Sequence, residues 1–177
     1  LAEFRDAGVS HVAMEVSSHA LAQHRVAAVD FDVAAFTNLT RDHLDYHGDM
    51  ASYGAAKAKL FAWPSLGAAV INLDDAFGPE LLAQLDGAVQ PLRTSMADSA
   101  DADVAAGTIV TSSNGLSFDL RPPWGAAPVK SPLLGRFNVA NLLTVAACLG
   151  ALGEPFERIV AALENLQPVP GRMSRLG

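Results

Sequence analysis

The chain has 177 residues, half of them hydrophobic, so it is long enough and apolar enough to fold around one globular core. Its net charge of −7 argues against a general binder of nucleic acids or anionic membranes, and we expect neither partner. The single cysteine, Cys148, excludes a disulfide framework within the chain and fits a reducing compartment.

The first half of the chain has the pattern of a parallel sheet with crossover helices. Short apolar runs predict buried strands, and helical segments separate these runs. The predicted strands are residues 11–16, 31–36 and 68–72, and the predicted helices are residues 52–61 and 79–85. Asp49 or Ser52 would cap the first of these helices. Strands that alternate with helices indicate an α/β fold.

The middle of the chain has a different pattern, with several β-rich runs in succession. These runs are residues 89–93, 104–111, 116–120 and 129–133. Residues 112–115 (SSNG) have the composition of a hairpin turn. We therefore predict a small antiparallel extension of the sheet. Two helices follow, at residues 138–149 and 155–166.

The densest group of polar residues, 37–48 (TNLTRDHLDYHG), directly follows a predicted buried strand. Ligands of open α/β sheets bind outside the carboxyl ends of strands, which favours a functional site here. A solvated loop with Asx turns would have the same composition. Because imidazole suits zinc or iron, the segment also suggests a transition-metal site. The four side chains that would form it are Asp42, His43, Asp45 and His47.

Two charged residues are predicted to face inward. Glu15 lies inside the predicted strand 11–16, where a carboxylate needs a partner unless the position is an edge open to water. Lys57 falls on the apolar face of its helix with Tyr53, whereas Lys59 faces water. An inward lysine either extends its amine to solvent or has a lowered pKa. A neutral amine can react with carbon dioxide to form a carbamate that binds metal.

Polar residues near the end of the chain suggest contacts with a nucleotide. Asn138 and Asn141 share a helix face on which we expect Asn141 to point toward the core, and two amides can hydrogen-bond a purine edge. Asn138 could instead serve as a helix cap. The stiff turn at residues 168–172 presents Arg172, either to a polyphosphate or to solvent. The sequence contains neither a P-loop nor a dinucleotide-binding glycine motif.

Several motifs occur along the chain in a fixed order and spacing. They are residues 14–21 (MEVSSHAL), 23–25 (QHR) and 36–48 (FTNLTRDHLDYHG), then Tyr53, Ala56 and Lys57, then residues 138–141 (NVAN) and 170–173 (PGRM). Taken together, these motifs resemble the Mur ligases, a family that builds peptidoglycan precursors. The resemblance covers nearly the whole chain and is weakest between residues 76 and 130.

The resemblance implies a domain organisation and a fold. Residues 1–172 would be part of a central ATPase domain without its P-loop portion, and residues 173–177 would begin a linker to a C-terminal domain. The fold would be a Rossmann-like, mostly parallel α/β sheet with a small antiparallel extension. We expect the chain by itself to be an inactive, monomeric piece of a cytoplasmic enzyme.

The resemblance also implies a reaction. ATP, with Mg²⁺, would phosphorylate the terminal carboxylate of a UDP-N-acetylmuramoyl dipeptide. The amine of the third amino acid, diaminopimelate or lysine, would then attack the acyl phosphate and form the peptide bond. Because the pocket for that amino acid would belong to the C-terminal domain, the motifs do not choose between the two.

The same resemblance assigns roles to individual residues. The magnesium ligands would be Glu15, His43 and a carbamylated Lys57, all three being catalytic. The contacts to the UDP-N-acetylmuramoyl dipeptide would be Ser17, Gln23 and Arg25. The nucleotide contacts would be Asn138 and Asn141 at the adenine and Arg172 at the phosphates. Because magnesium prefers oxygen ligands, His43 is an unusual partner in this set.

Three other interpretations remain open at this point. One is a different ligase of the same superfamily, such as folylpolyglutamate synthetase. The second is a metal-dependent hydrolase that uses the acidic and imidazole side chains of residues 42–47. The third is a non-catalytic binding module of the same fold.

Overall fold

The computed structural model describes residues 2–97 and 99–168. Its centre is a six-stranded sheet in which the strands follow one another in chain order. The strands are β1 (Val33–Phe36), β2 (Ala68–Asn72), β3 (Gln90–Ser95), β4 (Val104–Ser112), β5 (Gly115–Arg121) and β6 (Ala127–Ser131). The strands β1 to β4 pair in parallel, and β4, β5 and β6 pair antiparallel.

Seven α-helices are present in the described part of the chain. They are α1 (Ala2–Asp6), α2 (Ser18–Ala22), α3 (Leu44–His47), α4 (Met50–Ala58), α5 (Phe77–Leu82), α6 (Phe137–Ala151) and α7 (Phe156–Glu164). A short 3-10 helix, Lys59–Ala62, continues α4. None of the helices described has the length and apolar character that crossing a bilayer requires.

Helices cover both faces of the sheet. Side chains of a strand alternate between these faces, so neighbouring residues of one strand belong to different cores. Val70 of β2 belongs to the larger apolar core, which includes buried residues of α6 and α7. Its neighbours Ala69 and Ile71 belong to the second core, with Phe61 and Leu81. All five residues of β2 are buried, which explains why its sequence reads as a continuous apolar run.

The predicted α/β class and its antiparallel extension are confirmed, with one change of membership. Residues 89–93 were expected in the extension, but β3 pairs in parallel with β2, placing Val70 opposite Leu92. The intervening helix α5 supplies the crossover that parallel pairing needs. The antiparallel part is therefore confined to β4, β5 and β6, where the predicted turn joins β4 to β5.

The buried strand predicted at residues 11–16 is wrong. The segment has no regular secondary structure, and Val12 and Met14 are each 47% exposed. Among the described strands, β1 pairs only with β2, so the segment has no hydrogen-bonding neighbour. An apolar run without such a neighbour has no ladder to join, whatever its β-propensity.

Helix α4 begins where the sequence predicted a cap. The Asp49 side chain accepts a hydrogen bond of 2.7 Å from the backbone N–H of Ser52. This bond satisfies one of the free N–H groups of the first turn and lowers the pKa of Asp49. Asp49, not Ser52, is thus the residue that fixes the start of the helix that carries Lys57.

Gly150 offers a test of the packing between α6 and the loop after β5. A Cβ atom at this position would overlap the indole ring of Trp124. We expect Gly150→Ala to destabilise the chain by about 1–3 kcal/mol, since overpacking outweighs the better helix propensity of alanine. Urea denaturation of the purified chain measures the change.

The matched control is Gly87→Ala, because a Cβ there would meet nothing within 4 Å. We expect this substitution to change the free energy of unfolding by less than about 1 kcal/mol, in the stabilising direction. Equal effects of the two substitutions would contradict the packing described at Gly150.

Candidate active site

Two side chains tie the carboxyl ends of β1 and β2 together. Asn72 is the last residue of β2, and Asp75 follows it three residues later. Asn72 Nδ2 donates to the backbone carbonyl of Thr37 over 2.7 Å. Asp75 Oδ2 accepts from the backbone N–H of Leu39 over 2.9 Å. Because both bonds satisfy backbone groups of the segment after β1, they hold that segment in place before it reaches His43.

His43 has an uncommon backbone conformation at the start of α3. Its φ of 55° and ψ of 23° lie in the left-handed region, and its N–H donates to Asp42 Oδ1 over 2.8 Å. Its ring makes edge contacts with His19 at 4.9 Å and with Tyr53 at 5.9 Å between centroids. Such conformations persist where the surroundings hold them, often at functional sites.

Five side chains around α3 form a contiguous group that we call the ring cluster: His19, His43, Tyr46, His47 and Tyr53. The ring of His47 stacks on that of Tyr53, with centroids 5.3 Å apart and planes 23° apart. Loss of solvent lowers the pKa of His47, and the charges of His19 and His43 lower it further. The His47 ring is therefore kept neutral at neutral pH.

Lys57 lies one turn after Tyr53 on α4, with its Nζ 5.2 Å from the centroid of that ring. It is half-buried while Lys59 is exposed, as the helical periodicity predicts. Burial lowers the pKa of Lys57, whereas the negative charges of Glu15 and Asp75 oppose that change. The balance favours a larger neutral fraction of this amine than an ordinary lysine has.

Glu15 does not occupy a buried strand, and its side chain is exposed. The carboxylate nevertheless lies near enough to Lys57 to act on its pKa. His43 is linked to the same place through Tyr53, which contacts both His43 and Lys57. Lys57 is thus related to Glu15 by charge and to His43 through a shared contact with Tyr53, although the buried strand predicted around Glu15 was wrong.

The acidic and imidazole residues of 42–47 do not form a metal centre. In residues 2–97 and 99–168, no three or more His, Cys, Asp or Glu side chains are grouped so that they could hold a metal ion. On α3, Asp45 projects from a different side than His47, and His47 Nε2 is hydrogen-bonded to Ser18 Oγ over 2.9 Å. These four side chains therefore give the hydrolase interpretation no support from the described structure.

The predicted substrate residues flank α2, beside the ring cluster: Ser17 precedes the helix, and Gln23 and Arg25 follow it. Ser17 Oγ accepts from the backbone N–H of Ala20 over 3.2 Å and caps α2. Gln23 Nε2 donates to the Tyr46 hydroxyl over 3.2 Å, and Arg25 is exposed. The structure therefore joins Gln23 to the ring cluster and gives Ser17 a role as a helix cap.

The predicted nucleotide residues lie at the start of α6 and partly outside the described residues. Asn138 Nδ2 donates to the carbonyl of Leu134 over 2.8 Å, and Asn141 Nδ2 donates to Asn138 Oδ1 over 3.0 Å. Asn141 is exposed, so its predicted core-facing orientation is wrong. The buried side of α6 includes Val139, Leu142 and Leu143 but not Asn141. Arg172 and the linker at residues 173–177 lie outside the described residues.

Sequence reasoning did not single out Asp75, which both holds the segment after β1 and acts on Lys57. The rule that pointed to residues 37–48 applies equally to the residues after β2, so the signal was present. The hydrogen bond between His47 and Ser18 was also missed, because it joins residues 29 positions apart and follows no local pattern.

The chain belongs to the Mur ligase family: residues 1–149 match the Mur ligase middle domain. It is 60% identical over 177 residues to the UDP-N-acetylmuramoyl-L-alanyl-D-glutamate--2,6-diaminopimelate ligase of Xanthomonas campestris pv. campestris (strain 8004). That alignment covers 100% of this chain and 36% of the Xanthomonas protein, so the chain spans about a third of the length of that relative.

Solved structures agree with the fold. A structure of a UDP-N-acetylmuramoyl-L-alanyl-D-glutamate--2,6-diaminopimelate ligase superimposes with a TM-score of 0.89 at 35% identity, covering 97% of this chain and 36% of that one. A UDP-N-acetylmuramoylalanyl-D-glutamyl-2,6-diaminopimelate--D-alanyl-D-alanyl ligase from Acinetobacter baumannii gives a TM-score of 0.71 at 28% identity, covering 81% and 30% of the two chains.

The electrostatic balance at Lys57 can be measured by following the ¹³C chemical shift of its Cε atom through pH, with bicarbonate removed. We expect a midpoint below the ordinary value of 10.5, because burial disfavours the charged amine. Glu15→Gln should lower the midpoint further, since the carboxylate charge raises the pKa of Lys57.

Glu3→Gln removes an exposed carboxylate on α1 and is the matched control, expected to leave the midpoint unchanged. Lys57→Arg assigns the resonance. A midpoint at or above 10.5, or equal responses to the two glutamate substitutions, would contradict the surroundings described for this amine.

Proposed function

We propose that this chain is the central part of an ATP-dependent ligase that adds the third amino acid to UDP-N-acetylmuramoyl-L-alanyl-D-glutamate in peptidoglycan synthesis. The half-buried amine of Lys57, which lies 5.2 Å from the centroid of the Tyr53 ring and has a lowered pKa, is the observation that carries the proposal. The membership in the Mur ligase family supports the ligase class. We further propose that the enzyme is cytoplasmic and monomeric.

Diaminopimelate is the amino acid we favour over lysine. The Xanthomonas relative, which is 60% identical over the whole of this chain, is named as a 2,6-diaminopimelate ligase. A relative from Ralstonia nicotianae (strain ATCC BAA-1114 / GMI1000), 49% identical over 183 residues, has the same name. The preference for diaminopimelate is supported by these names and not by any contact among the described residues.

Lys57 would act as a carbamate. Its neutral Nζ would attack the carbon of carbon dioxide, forming an N–C bond and losing one proton to solvent. The product is an anion, which a half-buried position disfavours unless a cation lies beside it. The lowered pKa of Lys57 supports this role, since only the neutral amine is nucleophilic.

Magnesium fits the oxygen donors that this region offers. Glu15 supplies a carboxylate and carbamylated Lys57 would supply a second oxygen donor, and both are ligand types that Mg²⁺ prefers. His43 would complete the protein contribution from the start of α3. Because the described carboxylates and imidazoles form no three-ligand group, the carbamate is needed for the residues to fit. When bound, the ion neutralises charge on the transferring phosphoryl group.

The reaction would proceed through an acyl phosphate. The carboxylate of the dipeptide would attack the γ-phosphorus of ATP and release ADP. The amine of diaminopimelate would then attack the acyl carbon, forming the peptide bond and releasing phosphate. Gln23 and Arg25, which follow the C-terminal end of α2, would hold the UDP-linked substrate, with Ser17 ordering that helix as its cap. Asn138 and Asn141 would contact the adenine, and Arg172 the phosphates.

Replacement of Lys57 tests the proposed role in the full-length ligase. We expect Lys57→Ala to lower ATP- and UDP-dipeptide-dependent phosphate release by at least about 10²–10³-fold, because the substitution removes a charged group at the reacting centre. Bicarbonate should not restore activity. Lys59→Ala, which removes an exposed lysine of the following turn, should retain it. Turnover of Lys57→Ala near that of the wild type would refute the role.

The purified 177-residue chain provides a second test. Its sequence has no P-loop motif to cradle a triphosphate, so we expect no phosphate release with ATP, the UDP-dipeptide and diaminopimelate. The same assay on the full-length ligase is the positive control. Turnover by the isolated chain near the full-length rate would show that these 177 residues contain a complete active site.

A further inference from the structure

His47 makes two different interactions, one with α2 and one with α4. The first is a hydrogen bond of 2.9 Å between its Nε2 and Ser18 Oγ, and Ser18 is only 1% exposed. Ser18 is the first residue of α2, directly after the Ser17 cap. A polar group buried to this degree depends on its partner, so the bond fixes where α2 begins relative to α3.

In the second interaction, the His47 ring lies nearly parallel to the ring of Tyr53, with planes 23° apart. Tyr53 is 6% exposed and places its ring 5.2 Å from Lys57 Nζ. Stacking on His47 therefore orients the Tyr53 ring, and the Lys57 amine lies over that ring. Burial also raises the pKa of Tyr53, so its hydroxyl stays protonated at neutral pH.

We propose that His47 is a positioning residue that couples the substrate helix α2 to the Lys57 site, through Ser18 and through Tyr53. The inference rests on the proposed ligase function, because it assigns α2 to the UDP-dipeptide and Lys57 to the reaction. His47 itself touches neither group of reacting atoms. It acts by fixing the groups that do.

The two interactions use different properties of one side chain, so two substitutions separate them. His47→Phe keeps a ring that can stack on Tyr53 but removes the hydrogen bond to Ser18. His47→Gln keeps a polar group at about the position of Nε2 but removes the ring. A purely structural role would make the two variants fail in the same way, whereas a coupling role makes them fail differently.

The experiment measures steady-state phosphate release by the full-length ligase with ATP, the UDP-dipeptide and diaminopimelate. For His47→Phe we expect the KM for the UDP-dipeptide to rise about five- to tenfold, with kcat changed less than about twofold, because α2 loses its tie. For His47→Gln we expect the reverse: kcat falls about five- to tenfold and KM changes less than about twofold, because Lys57 loses its support.

Ser18→Ala completes the design. It removes the same hydrogen bond from the other side, so it should raise KM as His47→Phe does. The double variant that combines Ser18→Ala with His47→Phe should show no further increase in KM, since the two residues act through one interaction. Additive increases, or KM and kcat changed by the same factor in both His47 variants, would overturn the proposal.

Trp63→Phe is the matched control, because it also removes a half-buried side-chain hydrogen bond, from Trp63 Nε1 to the Val29 carbonyl over 2.8 Å, but lies outside the ring cluster. It should leave both constants unchanged, and its melting temperature shows what a structural loss alone does. If the wild-type ligase lacks phosphate release with these substrates, the proposed function fails. If the wild type is active and the split between KM and kcat is absent, only the coupling role fails.

Discussion

The tie between the carboxyl ends of β1 and β2 is the constraint on which the rest of the site depends. A polypeptide that leaves a buried strand exposes unpaired backbone groups, and Asn72 and Asp75 satisfy those of Thr37 and Leu39. The segment after β1 consequently reaches His43 in a fixed direction, even though the left-handed conformation there costs energy. A loop held only by solvent would not keep that residue in place.

The Asp75 carboxylate contacts the segment after β1 and also acts on the pKa of Lys57. Asp75 is engaged with backbone N–H groups of Leu39 and Phe77, so it cannot move away from Lys57 without breaking both bonds. Its charge and that of Glu15 favour the protonated amine, while burial above Tyr53 favours the neutral one. Burial prevails, and the pKa of Lys57 falls. One side chain thereby serves strand-end packing and electrostatics at once.

The parts of the fold that the sequence predicted well are those decided by local pattern. The bounds of β2 were predicted to the residue, because a strand buried on both faces is apolar at every position. The inward face of Lys57 followed from helical periodicity alone. The burial predicted for residues 11–16 and for Asn141 was wrong. Burial depends on which elements pack against a segment, and a local sequence pattern does not specify them. The contact between His47 and Ser18 has the same non-local origin.

The charges around Lys57 also constrain when a carbamate could exist there. With the lysine protonated, Glu15 and Asp75 are its counter-charges. Carbamylation would replace that cation with an anion that both carboxylates repel, an arrangement that costs energy without a cation. Any cation bound there would therefore favour the carbamate, and by linkage the carbamate would favour the cation to the same extent. On this argument the proposed modification and the proposed metal would be two halves of one equilibrium, in which an exposed Glu15 and a half-buried Lys57 would act together.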